Sequence, residues 1–398
     1  MNSLWWLLSP LPAWILAEAA ARIWLGRKGR YYAWQPGTLL EMELLPEAFP
    51  HMDHRVRFEV NAAGERSDPA PTQPNTFRVL TAGDSTIECY MIDQEQQISH
   101  RIQQALARPE SLTTLGAPAV HVGNLGRSLI RTGSMSAMLR RVLDNYDRVD
   151  LMLLFVGPSD LVGWAQDGCP ALATPATEEP NEIFHSHPAG PFSWLPHRSA
   201  VRRIAAGCYH RCMHRAKPLR NVGSTLQRFR AMRQRGEFLE TLPDPAGALQ
   251  SYRGNLRALI HLCQDKARRV VLVVPPWMDK ELSPEEDRMA WNCGLGHPGR
   301  GEVKQYLQWR HVCELLHRFR QITEEVARLC KVDVIEPTGA VPKDSEHFYD
   351  EFHLTGRGCS LVAEEIAREL LAALGGANRK GQSRSAGQPA GPDVSQPA

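Results

Sequence analysis

Five short apolar runs limit what this chain can fold into more than any other feature. They are FRVLTA at 77–82, AVHVGN at 119–124, LMLLFV at 151–156, VVLVV at 270–274 and VDVIE at 332–336. None alternates polar with apolar over its length, so both faces of each strand must be covered. Between the runs, apolar residues fall at helical spacing. Ile98, Ile102, Ala105 and Leu106 make one stripe; Met135, Met138, Leu139, Val142 and Tyr146 make a second. Leu249, Tyr252, Leu256, Ile260 and Cys263 make a third, and Val312, Leu315, Phe319, Ile322 and Val326 a fourth. A last stripe runs through Leu361, Val362, Ile366 and Leu370. Strands buried on both faces and alternating with amphipathic helices predict an α/β fold: a five-stranded parallel sheet between two helical layers.

The remaining chain divides by composition. Residues 31–76 form a Pro-rich, polar lead-in without strong periodicity, and 77–375 hold the sheet-and-helix domain. A long insertion at about 165–247 separates the third and fourth runs, and 376–398 are rich in Gly, Pro, Ser and Gln, the composition of a disordered tail. Formal net charge is +2, so no general attraction to polyanions follows. Charge is uneven, however: from Ile183 to Gly236 there are eleven Lys or Arg residues and no Asp or Glu. A solvated basic face is the ordinary meaning of such a run, a basic helix on anionic headgroups or a site for an acidic glycan the sharper ones. No nucleic-acid-binding module is recognisable, so nucleic acid is not an expected partner. Nine scattered cysteines without CxxC spacing argue against a disulfide scaffold and slightly favour a reducing compartment.

Residues 1–30 supply an apolar segment, LWWLLSPLPAWILAEAAARIW from Leu4 to Trp24, and its basic flank. The clean run ends at Ala17, short of the ~20 residues a spanning helix wants. Counting on to Trp24 gives adequate length if Glu18 and Arg22, one turn apart, pair near the boundary. Trp5, Trp6, Trp14 and Trp24 suit interfaces. The expectation is a single N-terminal membrane anchor. A cleaved leader, with Ala17-Glu18-Ala19 as its site, and an interfacial helix are the alternatives. Sidedness stays open, although Arg22, Arg27, Lys28 and Arg30 after the run would keep the body cytoplasmic.

In a sheet of this kind, ligands bind beyond the carboxyl ends of the strands, where the strand order reverses. Gly83-Asp84-Ser85 follows the first run, Asn124-Leu125-Gly126 the second and Gly157-Pro158-Ser159-Asp160 the third. After the fifth, HFYDEFHLTG supplies Asp350 and His353. A serine hydroxyl is a poor nucleophile until an imidazole takes its proton, and that imidazole needs a carboxylate to fix its tautomer. Asp and His at i, i+3 on one loop can place carboxylate beside ring. The oxyanion of a tetrahedral intermediate then needs donors, and the N–H groups of Ser85 and Gly126 are candidates. Asp84 is expected to bond nearby backbone N–H groups rather than act chemically.

The ordered set GDS, N-x-G, G-x-x-D and D-x-x-H resembles the four blocks of the SGNH/GDSL hydrolase superfamily, over roughly residues 77–373. That resemblance implies a flavodoxin-like fold and an esterase, lipase or carbohydrate O-acyl hydrolase or transferase. It makes Ser85 the nucleophile, His353 the general base, Asp350 its orienter and Gly126 an oxyanion donor. An apolar start ending in an E-x-x-x-R-like pattern, with Gly64-Glu65-Arg66 before the first run, also resembles membrane-anchored members. One block departs from the pattern: where the family has G-x-N-D, with its Asn amide as another donor, this chain has Ser159. A hydroxyl can still donate, from a side chain one heavy atom shorter.

The expected function is therefore hydrolysis of a small-acyl ester, carbohydrate-linked esters included, with no metal or organic cofactor. An O-acyltransferase acting on a polysaccharide would share the covalent half-reaction. A glycan- or lipid-binding module on the same fold is the non-catalytic alternative. The string Cys208-Tyr209-His210-Arg211-Cys212-Met213-His214 is no metal site if helical, because Cys208 and Cys212 then lie roughly 200° from His210 and His214. Val201, Ile204, Ala205, Cys208 and Cys212 keep helical spacing, so the cysteines are expected in a core.

Overall fold

The structure, a computed structural model, describes residues 10–27, 30–172, 199–214 and 218–385. Helix α1 (Pro10–Arg27) and strands β1 (Leu39–Leu44) and β2 (Arg55–Glu59) precede the first apolar run, which folds as β3 (Phe77–Ala82). A four-residue helix, α2 (Ser85–Glu88), follows at once, then α3 (Ile98–Leu106), α4 (Pro109–Leu115) and β4 (Val120–Asn124). Next come α5 (Thr132–Val142), β5 (Leu151–Phe155) and α6 (Pro158–Gln166). The insertion contributes α7 (Ala200–His214), β6 (Leu219–Val222), α8 (Ser224–Gln234) and β7 (Glu237–Leu239). The chain closes with α9 (Ala246–Gln264), β8 (Val270–Val273), α10 (Pro284–Met289), β9 (Gln305–Leu307), α11 (Trp309–Cys330), β10 (Asp333–Ile335) and α12 (Gly356–Ser385).

The five runs form one parallel sheet in the order β10-β8-β5-β3-β4. Side chains alternate between its two faces. Leu80, Ala82, Met152, Leu154 and Leu272 join one core with α5, α6, α9 and α11. Val79, Val122, Leu151, Leu153, Phe155 and Val273 join another with α3 and α12. Covering both faces removes nearly all these side chains from water, and truncating one such Leu to Ala would cost about 2–5 kcal/mol. The three-layer α/β/α architecture is as the runs require. The stripes hold with two exceptions. Tyr146 lies beyond the end of α5. Leu361 is exposed because it sits one residue, or 100°, off the buried set Val362, Ala363, Ile366, Ala367 and Leu370.

Two expectations need correction. No helix among the described residues is long and apolar enough to cross a membrane, so the N-terminal anchor is not supported. Glu18 and Arg22 lie inside the 18-residue α1, not at its end, and pair at 2.7 Å. Glu18 also accepts hydrogen bonds from Ser199 Oγ and from the N–H groups of Ala200 and Val201, at 2.8, 2.7 and 3.1 Å. It thus satisfies the otherwise unpaired first turn of α7. Those bonds, the Ala200 N–H foremost, hold its carboxyl down to about 2. Residues 1–9, with Trp5 and Trp6, lie outside the described residues.

The second correction concerns the string at 208–214. It is helical, but Cys208 and Ala205 face outward, while Val201 and Ile204 turn toward Ala21 and Leu25 of α1. Cys212 and its neighbours from His210 on lie outside the described side chains. The lead-in, whose sequence shows no strong periodicity, carries two strands. β1 and β2 pair antiparallel, and β6 from the insertion adds to β1 in parallel. At the other end, α12 runs ten residues past the boundary expected at 375, and 386–398 lie outside the described residues.

Candidate active site

β3 is the strand at which the sheet order reverses: the chain moves to β4 on one side and then to β5, β8 and β10 on the other. Residues placed directly after β3 therefore face the crevice between diverging connections. Gly83-Asp84-Ser85 occupies that place. Asp84 is the N-cap of α2: its Oδ1 accepts from Thr86 N at 3.0 Å and Thr86 Oγ1 at 2.7 Å. Its Oδ2 accepts from Ser159 N at 3.0 Å, fastening the turn after β3 to the turn after β5. Asp84 does the backbone work expected of it, and Ser85 is left half-buried at the first helical position.

The loop after β10 reaches the same rim. His353 Nε2 lies 2.8 Å from Ser85 Oγ, across 268 residues of sequence. On the far side of the ring, Nδ1 lies 2.8 Å from both Asp350 oxygens. An ionised Asp350 can only accept, so Nδ1 carries hydrogen. In the neutral ring Nε2 is then free to accept from the Ser85 hydroxyl. Asp350 is buried and accepts three further bonds: from the N–H groups of Phe352 and His353 at 2.9 and 2.8 Å, and from Trp291 Nε1 at 2.8 Å. Burial pulls the His353 pKa down, but the charge and hydrogen bond of Asp350 outweigh it and push it up to about 9. Burial works against Asp350 likewise, and His353 holds its carboxyl below the usual range. Both shifts favour an ion pair.

The oxyanion donors are less uniform. Among the described residues the Ser85 N–H donates to no protein group, as suits the first N–H of a helix. The Gly126 N–H, by contrast, donates to Asn124 Oδ1 at 2.8 Å. Position 126 needs a glycine: a Cβ there would stand 2.6 Å from Glu88 N and 2.9 Å from Glu88 Cα, displacing α2. At the third block, Gly157 has φ +118, a conformation other residues rarely adopt. It places Ser159 in the first turn of α6, where the side chain is 6% exposed and Oγ has no partner among the described residues. Asp160 accepts from Thr132 N and Oγ1, tying α6 to the start of α5.

Several residues at the site were missed in the sequence. Trp291 comes from a stretch without periodicity, so nothing pointed to it. Besides its indole bond to Asp350, its backbone N–H and that of Asn292 hold the buried Glu351 carboxylate at 3.2 and 2.7 Å. Tyr349 stacks on His353, with ring centroids 5.4 Å apart and planes 9° from parallel. Its place directly before Asp350 was the one available signal.

No protein-family profile and no curated protein matches this chain. Among solved structures it is similar to the acetylxylan esterase Axe2 of Geobacillus stearothermophilus, at 13% identity, TM-score 0.39, over 73% of this chain and 93% of that one. A GDSL-like lipase from Parabacteroides merdae aligns at 12% identity and TM-score 0.39, over 77% of this chain and 100% of the other. Est24, a carbohydrate acetylesterase from Sinorhizobium meliloti, aligns at 13% and TM-score 0.37, over 74% and 99%. Likenesses this distant carry no argument about chemistry, which rests on the chain's own geometry.

Proposed function

We propose that the protein is a serine esterase of the SGNH type, acting on an ester of a small acyl group. The observation that carries this reading is the unbroken line from Ser85 Oγ through the His353 ring to Asp350, each contact 2.8 Å. Ser85 Oγ attacks the carbonyl carbon as its proton moves to His353 Nε2. The oxyanion is met by the Ser85 N–H and, with a modest reach or a bridging water, the Ser159 hydroxyl. Gly126 N–H joins only by sharing its hydrogen with Asn124 Oδ1. The ester C–O bond then breaks, His353 returns the proton to the departing alkoxide, and water repeats the sequence on the acyl-enzyme. A sugar hydroxyl in place of that water would make the protein an O-acyltransferase by the same first half-reaction.

The test is hydrolysis of a short-chain p-nitrophenyl ester by the full chain and by Ser85→Ala, beside fluorophosphonate labelling. Wild-type turnover with a loss of about 10³–10⁶ in kcat on Ser85→Ala is expected. Folded protein that neither turns over ester nor labels at Ser85 would leave the fold as a binding module. Small-acyl esters of carbohydrates belong among the first natural substrates tried, with and without a free glycan acceptor.

A further inference from the structure

α2 is four residues long, and fixing a single helical turn is unfavourable by itself. Something outside it must hold Ser85 where the contact with His353 requires. Its start is held by Asp84. Its end is held by Arg66, a side chain with no exposed surface. Arg66 Nη1 donates to the carbonyls of Glu88 and Cys89, and Nη2 to that of Ile92. The first two close the helix that Ser85 opens, and the third belongs to the turn that follows it. Cys89 is the C-cap and a non-glycine residue with φ 52, a left-handed conformation that costs on the order of 1–3 kcal/mol and persists only where its surroundings over-determine it. That conformation turns the Cys89 carbonyl toward the guanidinium.

The arginine is itself anchored. Its N–H donates to Asn124 O at 2.9 Å, and its carbonyl accepts from Gln97 Nε2 at 3.0 Å. The guanidinium lies over the Phe58 ring, 4.4 Å from the centroid. Asn124 adds a fourth tie, donating Nδ2 to Ile87 O at 2.7 Å. A fully buried cation whose Nη groups meet carbonyls of residues 88–92, while its Nε has no partner among the described residues, is an expensive way to gain stability alone, since desolvation offsets most of the attraction. Only the planar fork of an arginine spans carbonyls arranged this way; a lysine offers one point of charge.

We propose that Arg66 is a positioning residue for the nucleophile: it clamps the carbonyl end of the Ser85 turn from the lead-in segment and so sets the distance from Ser85 to His353. The inference deepens the esterase reading and rests on it for its kinetic consequence, but the clamp can be measured apart from catalysis. Arg66→Lys keeps charge and most of the volume while losing the fork, and Phe58→Leu loosens the ring beneath it. Hydrogen exchange at residues 86–92 should speed by tenfold or more in Arg66→Lys, with exchange in β5 and β8 unchanged. Labelling of Ser85 by fluorophosphonate and kcat should fall by about 10- to 100-fold, with KM within twofold and the acidic limb of the pH profile unmoved. Phe58→Leu should show a smaller change in the same direction. If Arg66→Lys does not fold, Phe58→Leu alone must give the exchange increase confined to 86–92. Unchanged exchange there, or exchange raised uniformly over the sheet, overturns the clamp. Local exchange without loss of labelling overturns its role in positioning. Wild-type protein that fails to label sinks the esterase reading, and the exchange experiment still decides the clamp.

Discussion

Replacing Asp350 with Asn isolates what the carboxylate does to the imidazole. The rise in the His353 pKa from 6.5 to about 9 corresponds to about 3 kcal/mol of preference for the imidazolium. At pH 7 only about one His353 in a hundred would then be neutral and able to accept a proton. Activity in the wild type should climb with pH and level off above about 9. In Asp350→Asn the charge is gone while the burial remains, so the pKa should drop to 6.5 or below and the acidic limb of kcat/KM should move down with it. The plateau should fall by about 10⁴, because an amide at 350 no longer fixes the Nδ1–H tautomer. Stability carries the same signature. The raised pKa contributes stability that is fully present below pH 6.5 and is lost as pH rises through about 9, a slope that Asp350→Asn should flatten in thermal melts. Rates of p-nitrophenyl ester hydrolysis from about pH 5 to about pH 10 test both parts. An Asn variant whose acidic limb stays near 9 would refute the reasoning, since some other group would then be holding the proton.

Two further substitutions probe the rest of the site. Trp291→Phe keeps the ring but removes the 2.8 Å donor to Asp350 Oδ2; kcat should drop by about three- to tenfold with little change in KM, as loss of one hydrogen bond worth ~1 kcal/mol predicts. An unchanged kcat in the Phe variant would mean that Trp291 has no part in orienting Asp350. Ser159→Asn restores the longer donor of the SGNH pattern and should keep or raise kcat, by up to the ~10²–10³ that one oxyanion donor is worth. A large loss would show that Ser159 does not stand at the oxyanion.

Much of this was legible in the sequence because it is local. Each apolar run is long enough to betray a buried strand, and each polar block lies within a few residues of a strand end. Asp350 and His353 share one loop, so their meeting needed no long-range knowledge. Legibility failed where the partner is remote and the segment short. β1 and β2 alternate at Leu40, Met42 and Leu44, and at Val56 and Phe58, yet five or six residues with charges between them give a weak signal. Their third strand, β6, comes from the far side of an insertion. The N-terminal segment failed for the opposite reason. Its apolar composition was plain, but the use of Glu18 depends on Ser199 and Ala200, some 180 residues away. The Gly126 N–H is a different case: its acceptor, Asn124 Oδ1, is only two residues back, the spacing of an Asx-turn, so that occupancy was within reach of the sequence.

The pairing of β1 with β6 has a consequence for anyone cutting this chain down. The segment before Phe77 and the insertion after α6 are stitched to each other, and Trp34 and Arg66 from the first of these pieces bond directly to Gly126 and to the Ser85 turn. A shortened protein beginning at the first apolar run would lose one wall of its own reaction centre and leave a raw strand edge beside it, ready to recruit a stranger's backbone.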